Sequence, residues 1–332
     1  MQDSFGRIIN YLRISVTDRC NARCVYCMPA DGIQKLAHSD ILSFEEIAFI
    51  AGICAAKGIE SIRLTGGDPL VRRNIAYLVA LLKKIPGIRK VVLTTNGLEL
   101  GQQLHELAAA GLDGVNVSLD ALDETVFSQI TRRTLSEHGV RTVLSAVDEA
   151  LKLPGFTVKL NCVPSGFNDK ELLPLALLAK DRNLAVRFIE LMPIGCAVTS
   201  GAQFRSSKTV FDLLEKELGP LEKTTGDRYQ YFTAPGFKGT IGFISPVTQP
   251  FCASCNRLRL TADGYIKSCL QYRSTRCLKP LLTEGLNEKT AEKISAAIDA
   301  EVRSKRLQNC FPEQNSEWWT CADSRNMNQI GG

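Results

Sequence analysis

Residues 11–27 read YLRISVTDRCNARCVYC. The first half alternates. Leu12, Ile14 and Val16 fall on one face of an extended chain, and Tyr11, Arg13 and Ser15 fall on the other. The second half is a C-x3-C-x2-C run of Cys20, Cys24 and Cys27, set where that strand ends. Thiolates this close together can reach one inorganic cluster from a single short loop. A [4Fe–4S] cube normally takes four cysteines, so a run that supplies three leaves one iron open to bind something reactive. A zinc site completed by a distant ligand is the alternative. Zinc loops, however, typically join C-x2–4-C to a distant pair.

Working outward, strand-like segments recur as IINYLRISV (8–16), ESIRLT (60–65), KVVLTT (90–95), GVNVSLD (114–120), FTVKLNCV (156–163) and AVRFIEL (185–191). Helical patterns fill the gaps at 43–58, 70–85, 100–111, 137–153 and 168–183. Ser43 with Glu46 makes a capping box, and Gly58 and Gly111 sit where helices should stop. Six βα repeats predict parallel strands with right-handed crossovers. Parity then separates an open sheet from a barrel. One face carries Leu12, Ile14, Ile62, Leu64, Val91, Leu93, Val115, Val117, Val158, Leu160, Val186 and Phe188. The opposite face carries Tyr11, Arg13, Arg63, Thr65, Thr94, Asn116, Ser118, Lys159, Asn161 and Arg187. A doubly wound sheet buries both faces in apolar helices, and a tightly filled barrel has aliphatic side chains inside. A polar inner face predicts an α/β fold of another kind: an incomplete (partial) TIM-type (βα)6 barrel around a charged ligand, over residues 1–225. Residues 226–332 are expected to form a C-terminal α+β extension covering one mouth.

The chain has 332 residues with a net charge of +5, spread along its length, which does not suit a nucleic-acid binder. No stretch approaches a membrane span, and the N-terminus MQDSFGRIINYLRIS has no apolar signal-peptide core. Twelve cysteines without a secretion signal predict a reduced, cytoplasmic protein in which metal binding outranks disulfides. Cys54, Cys162, Cys196, Cys310 and Cys321 read as ordinary small thiols. A second group, Cys252, Cys255 and Cys269, has C-x2-C-x13-C spacing. Its ligand count leaves zinc and an iron–sulfur cluster both open, with Cys277 as a potential fourth ligand. The sequence TGGDPL (65–70) ends the second strand with two glycines, where a ligand could approach backbone groups closely. No G-x-x-x-x-G-K-[ST] loop is present, so a polyphosphate ligand would need side-chain cations. Arg13, Arg63, Lys159 and Arg187 lie on the inner parity, and Arg257 and Arg259 flank them from the C-terminal stretch.

CNARCVYCMPA, TGGDPL, NVSLD and RFIELMP together resemble the radical S-adenosylmethionine superfamily. PFCASCNRLRLTADGYIKSCL and the terminal IGG narrow the resemblance to its GTP 3′,8-cyclase family, over nearly the whole chain. The resemblance implies that Cys20, Cys24 and Cys27 hold one [4Fe–4S] cluster, whose open iron binds S-adenosylmethionine. It implies that Tyr26, Gly67, Ser118 and Met192 line that cosubstrate. It places GTP on Arg13, Arg63, Thr94, Lys159, Arg257 and Arg259, and gives Arg187 a functional role. Cys252, Cys255 and Cys269 then hold a second [4Fe–4S] cluster that meets the purine. The Gly331–Gly332 tail enters the cavity and is needed for activity. A 5′-deoxyadenosyl radical takes the C3′ hydrogen of GTP, and the C3′ radical attacks C8 of guanine. That is the first step of molybdenum cofactor biosynthesis. The implied partners are a flavodoxin- or ferredoxin-type electron donor and a downstream cyclic pyranopterin monophosphate synthase, and a homodimer stays open. Two other readings stand beside this one: a radical S-adenosylmethionine enzyme that modifies a peptide, and an iron–sulfur electron carrier or sensor without catalysis.

Overall fold

The computed structural model describes residues 1–133, 139–224, 230–309, 311 and 323–331. The six alternating segments form β1 (Tyr11–Ser15), β2 (Ser61–Thr65), β3 (Lys90–Thr95), β4 (Gly114–Ser118), β5 (Thr157–Cys162) and β6 (Ala185–Ile189). Between them lie α1 (Phe44–Ala56), α2 (Ile75–Lys83), α3 (Leu100–Ala109), α4 (Glu124–Thr131), α5 (Gly139–Lys152) and α6 (Leu172–Asp181). Ser43 and Glu46 cap α1 reciprocally, at 3.1 and 2.7 Å. The short α4 falls outside the helical patterns read above. Its N-cap Asp123 accepts from the N–H groups of Thr125 and Val126.

After α7 (Ser207–Leu218) come β7 (Glu222–Lys223), β8 (Gln230–Thr233), β9 (Thr240–Ile244), β10 (Arg257–Leu260) and β11 (Ile266–Lys267), then α8 (Lys279–Leu282) and α9 (Glu288–Arg303). All the strands join one sheet in the order β11-β10-β1-β2-β3-β4-β5-β6-β9-β8-β7. The strands from β10 to β9 in that order run parallel, and β11, β8 and β7 are antiparallel additions at the edges. The parallel part therefore has two strands more than the six βα repeats predict. β9 pairs with β6, and β10 pairs with β1. The expected boundary at 225/226 lies outside the described residues.

Parity holds throughout. Leu12, Ile14, Ile62, Leu64, Val91, Leu93, Val117, Leu160, Val186 and Phe188 are at most 1% exposed, and they share one core with Ile47, Ile50, Leu78, Leu104, Val143 and Leu175 of the helices. Burial of aliphatic side chains at this density, worth roughly 1.5–3 kcal/mol each, fixes which face of every strand meets the helices. The polar face is left to form a site.

At the C-terminal ends of β1 and β2 the chain is held by backbone contact. Gly67 N–H donates to the Thr17 carbonyl (2.7 Å) and Asp68 N–H to the Arg19 carbonyl (2.8 Å). A Cβ on Gly67 would lie 2.1 Å from the Arg19 oxygen. These glycines thus let the β2 loop lie against the cysteine loop, and the Gly67 N–H expected to face a ligand is spent on Thr17. Asp68 does more than its backbone role. Its buried carboxylate accepts from Leu70 N–H (2.9 Å), Thr95 Oγ1 (2.8 Å) and Asn96 N–H (2.7 Å), tying the β2 loop to the end of β3. Burial pushes its pKa up to about 6. Replacing Asp68 with Ala strands three donors, and at about 1–3 kcal/mol for a buried group left unpaired the variant should unfold at measurably lower urea. An unchanged midpoint would mean this carboxylate does not hold the loops together.

Candidate active site

Every βα loop named so far opens at one end of the parallel strands, and the first cysteine run lies there. Cys24 O accepts from Cys27 N–H (2.9 Å), which turns the loop between the second and third cysteines. The Ala22 N–H (3.4 Å) and the Asn96 side-chain amide (3.7 Å) donate to Cys20 Sγ. Asn96 also binds Asn21 Oδ1 at 2.6 Å. Burial, with Asp68 adding to it, pushes the Cys20 thiol up to about 11. Burial likewise raises Cys24 and Cys27, and each is raised further by neighbouring thiols. Three soft sulfurs on one short loop, with amide donors aimed at one of them and thiols raised by burial, would ionise only against a cation. That donor set fits a thiolate-bound iron–sulfur cluster. Cys196 comes near the loop, but its thiol turns to the Val25 carbonyl at 3.9 Å.

The second group precedes β10 and follows β11, so it sits at the opposite end of the strands. Burial raises the Cys252 thiol, and Cys269 and Cys255 add to the shift. Asn309 N–H donates to Cys252 Sγ at 3.3 Å. The Cys252 carbonyl is held by Arg7 (2.8 Å), a buried side chain that also grips Asp3 and the Leu307 and Arg306 carbonyls. Cys277 stands apart. Its thiol donates to the Asp263 carbonyl at 3.4 Å, and the charges acting on it are Asp263, Lys279 and Arg325.

Between the two groups the polar face carries the cations. The parallel register sets Arg259, Arg13 and Arg63 directly side by side on β10, β1 and β2. Arg63 donates to the Tyr11 hydroxyl and, at 3.5 Å, to Thr94 Oγ1. The Arg13 Nε is buried without a partner. Burial holds the Arg13 pKa well below its ordinary value, and Arg259 and Arg63 depress it further. Among the described residues none of Arg13, Arg63, Arg187 and Arg259 forms an ion pair with a carboxylate. Arg187 is 4% exposed and donates to Asn116 Oδ1 (2.7 Å) and Asn161 Oδ1 (2.5 Å). Lys159 lies over the Tyr231 ring at 5.7 Å and Arg257 over Phe251 at 5.0 Å. A cavity of about 150 Å³ is lined by Tyr11, Arg63, Asn116 and Lys159, among others.

Of the residues expected to meet S-adenosylmethionine, Tyr26 donates to Asp120 Oδ2 at 2.5 Å and Ser118 ends β4 beside Asn161. Met192 packs against Ile194, Leu270 and Ile330. The expected tail is described as far as Gly331. The Gly331 carbonyl accepts from Arg259 Nη1 at 2.6 Å, and a Cβ at Gly331 would lie 3.0 Å from Thr65 Oγ1 and 3.2 Å from the Ser15 Cβ. Gly332, Cys310 and Cys321 lie outside the described residues. The sequence reading passed over Asn96 as a donor to the cysteine loop and over Asp120 as the partner of Tyr26. Both stand at strand ends on the inner parity, and that position was the available signal.

The radical SAM superfamily model matches residues 14–179, and the Molybdenum Cofactor Synthesis C model matches residues 184–311. A protein of Moorella thermoacetica named GTP 3′,8-cyclase is 43% identical over 342 residues, covering 100% of both chains. One of the same name from Listeria monocytogenes is 39% identical, covering 100% of this chain and 99% of its own. Among solved structures, Streptococcus suis SuiB bound to the precursor peptide SuiA aligns with a TM-score of 0.63 at 13% identity. It covers 95% of this chain and 70% of that one, a likeness of fold. With full-length relatives at this identity, and both family models matched in order along it, the chain belongs to the GTP 3′,8-cyclase family of the radical SAM superfamily.

Proposed function

We propose that the chain cyclises GTP to (8S)-3′,8-cyclo-7,8-dihydroguanosine 5′-triphosphate, the first step of molybdenum cofactor biosynthesis, as a radical S-adenosylmethionine lyase. The observation that carries this reading is the in-register row Arg259, Arg13, Arg63 between two three-cysteine groups. Adjacent like charges on a parallel sheet repel. If the heads kept the strand spacing of about 4.8 Å, each neighbouring pair would cost about 3 kcal/mol at an effective dielectric of about 20. A triphosphate offsets that repulsion, and guanidinium forks bind its oxygens in pairs. We assign GTP to Arg13, Arg63, Thr94, Lys159, Arg257 and Arg259, and S-adenosylmethionine to Tyr26, Gly67, Ser118 and Met192. Arg187 braces Asn116 and Asn161 beside them.

Cys20, Cys24 and Cys27 would hold one [4Fe–4S] cluster, which with S-adenosylmethionine supplies a 5′-deoxyadenosyl radical. Cys252, Cys255 and Cys269 would hold a second, which meets the purine. The protein's own part is to fix the ribose C3′ against the radical source and to exclude stray hydrogen donors. Tyr26 steadies the far wall through Asp120, and Gly331 closes the site over Ser15 and Thr65.

We read the fold as the partial barrel outlined above, divided into 1–225 and 226–332. In a flat sheet β1 and β6 would lie about 24 Å apart, at about 4.8 Å per strand. Met192, just past β6, packs on Ile330, and the next residue, Gly331, rests on β1 and β2. A curled sheet supports both contacts. Reduction is assigned to a flavodoxin- or ferredoxin-type donor in the cytoplasm, and the next step to a cyclic pyranopterin monophosphate synthase. A homodimer is compatible with this arrangement. Among the described residues no helix is long and apolar enough to cross a membrane.

Anaerobically reconstituted protein given dithionite, S-adenosylmethionine and GTP should yield the cyclised nucleotide and 5′-deoxyadenosine. Recovery of unaltered GTP alongside 5′-deoxyadenosine would reject the substrate. Iron analysis should find about eight irons per chain, falling to about four in Cys252→Ser and unchanged in Cys277→Ser, on cube stoichiometry. Loss of iron in Cys277→Ser would give it a ligand's role. Replacing Arg257 and Arg259 together with Ala should weaken GTP binding at least about tenfold, or 1.4 kcal/mol, measured by equilibrium dialysis, while S-adenosylmethionine cleavage persists. Undiminished affinity would move the phosphates elsewhere.

A further inference from the structure

The stretch 323–331 is a chain end with little regular structure, and such ends fray unless tied down. Apolar contact contributes little here, since only Ile330 and Met327 join the small cluster of Ile194, Leu270 and Met192. Polar ties are far more numerous. Asp323, eight positions before Gly331, is 5% exposed, and its carboxylate is paired with Lys267 Nζ on β11, whose own exposure is 0%. Arg325 closes on the same carboxylate through Nε (3.0 Å to Oδ1) and Nη2 (2.9 Å to Oδ2), and reaches Asp263 at 3.4 Å. The Asp323 N–H donates to the Gln271 carbonyl at 2.7 Å. Burial alone would raise the Asp323 pKa, yet Arg325 and Lys267 hold it below the ordinary range.

Lys267 stands directly opposite Arg259 in the β10–β11 ladder. Like charges in that position repel unless each is answered. The tail answers both, with the Asp323 carboxylate for Lys267 and the Gly331 carbonyl for Arg259. Between these points Asn326 Oδ1 accepts from Cys196 N–H (3.0 Å) and Asn328 Nδ2 donates to the Asp18 carbonyl (3.0 Å). The tail is thus tied along its length, from Lys267 and Gln271 at Asp323 to Arg259 at Gly331.

We propose that Asp323, clasped by buried Lys267 and by Arg325, is a latch that sets the register of the C-terminal tail, so that Gly331 arrives on Arg259 above Ser15 and Thr65. Lys267, Asp323 and Arg325 are positioning residues that act through the tail. The proposal rests on the tail's assigned part in cyclisation, and the test separates the two. Asp323→Asn, Arg325→Gln and a chain lacking Gly331 and Gly332 are each reconstituted anaerobically. Three quantities are read: iron content, the rate at which carboxypeptidase releases the C-terminal glycines of the full-length chains, and cyclised nucleotide formed per 5′-deoxyadenosine. Both latch variants should keep wild-type iron, lose glycine at least tenfold faster, and fall at least tenfold in coupling, as the shortened chain does. Wild-type trimming and coupling in an iron-replete latch variant would overturn the latch. If Asp323→Asn fails to take up iron, Arg325→Gln, whose side chain is partly exposed, decides alone. Full coupling in the shortened chain would overturn the tail's role instead, and the trimming rates would then judge the latch by themselves.

Discussion

Three guanidiniums abreast on adjacent parallel strands are the constraint on which the rest depends. Arg259, Arg13 and Arg63 are in register because Leu258, Leu12 and Ile62 are in register, and those three are wholly buried under helices. The apolar face therefore dictates the cationic one, since a strand cannot hide its leucines without turning its arginines to the opposite face. Burial, with Arg259 and Arg63 alongside, holds the Arg13 guanidinium well below its ordinary pKa. No carboxylate among the described residues offsets the repulsion among the three. A bound polyanion can, and part of the repulsion is already answered by the Gly331 carbonyl on Arg259.

The two cysteine groups take their meaning from where that row lies. One follows the C-terminal end of β1 and the other precedes the N-terminal end of β10, its parallel neighbour, so they sit at opposite ends of the same strands. The arginine row lies on the strands that join those two ends. The buried supports sort in the same way. Asp68 and Asn96 serve the first group, while Arg7, Lys305 and Glu301 serve the second. Lys305 donates to the Arg257 and Ser268 carbonyls, and Glu301 accepts from the Ser268 N–H at 2.8 Å.

Much of this was legible in the sequence, because two-residue periodicity is a direct readout of which way a side chain points. The six strands, the buried face and the arginines on the opposite face follow from that alone. The strand RLRL (257–260) alternates just as clearly, yet β10 was harder to place. Nothing local says that it pairs with β1 across more than two hundred residues of chain. The same holds for β9 beside β6. Ties between distant segments stayed hidden for a like reason. Asp68 reads as a loop acid, and only the fold brings Thr95 and Asn96 to it. Lys267 and Asp323 look like surface charges until β11 and the tail are packed together.

The most direct measurement of the central claim compares the affinities of the anaerobic, cluster-loaded protein for GTP, GMP and guanosine as salt is raised. A cationic row built for a polyphosphate predicts that GTP binds at least about a hundredfold tighter than guanosine, roughly 2.8 kcal/mol, with the advantage shrinking at high ionic strength. Equal affinity for guanosine and GTP, insensitive to salt, would contradict it.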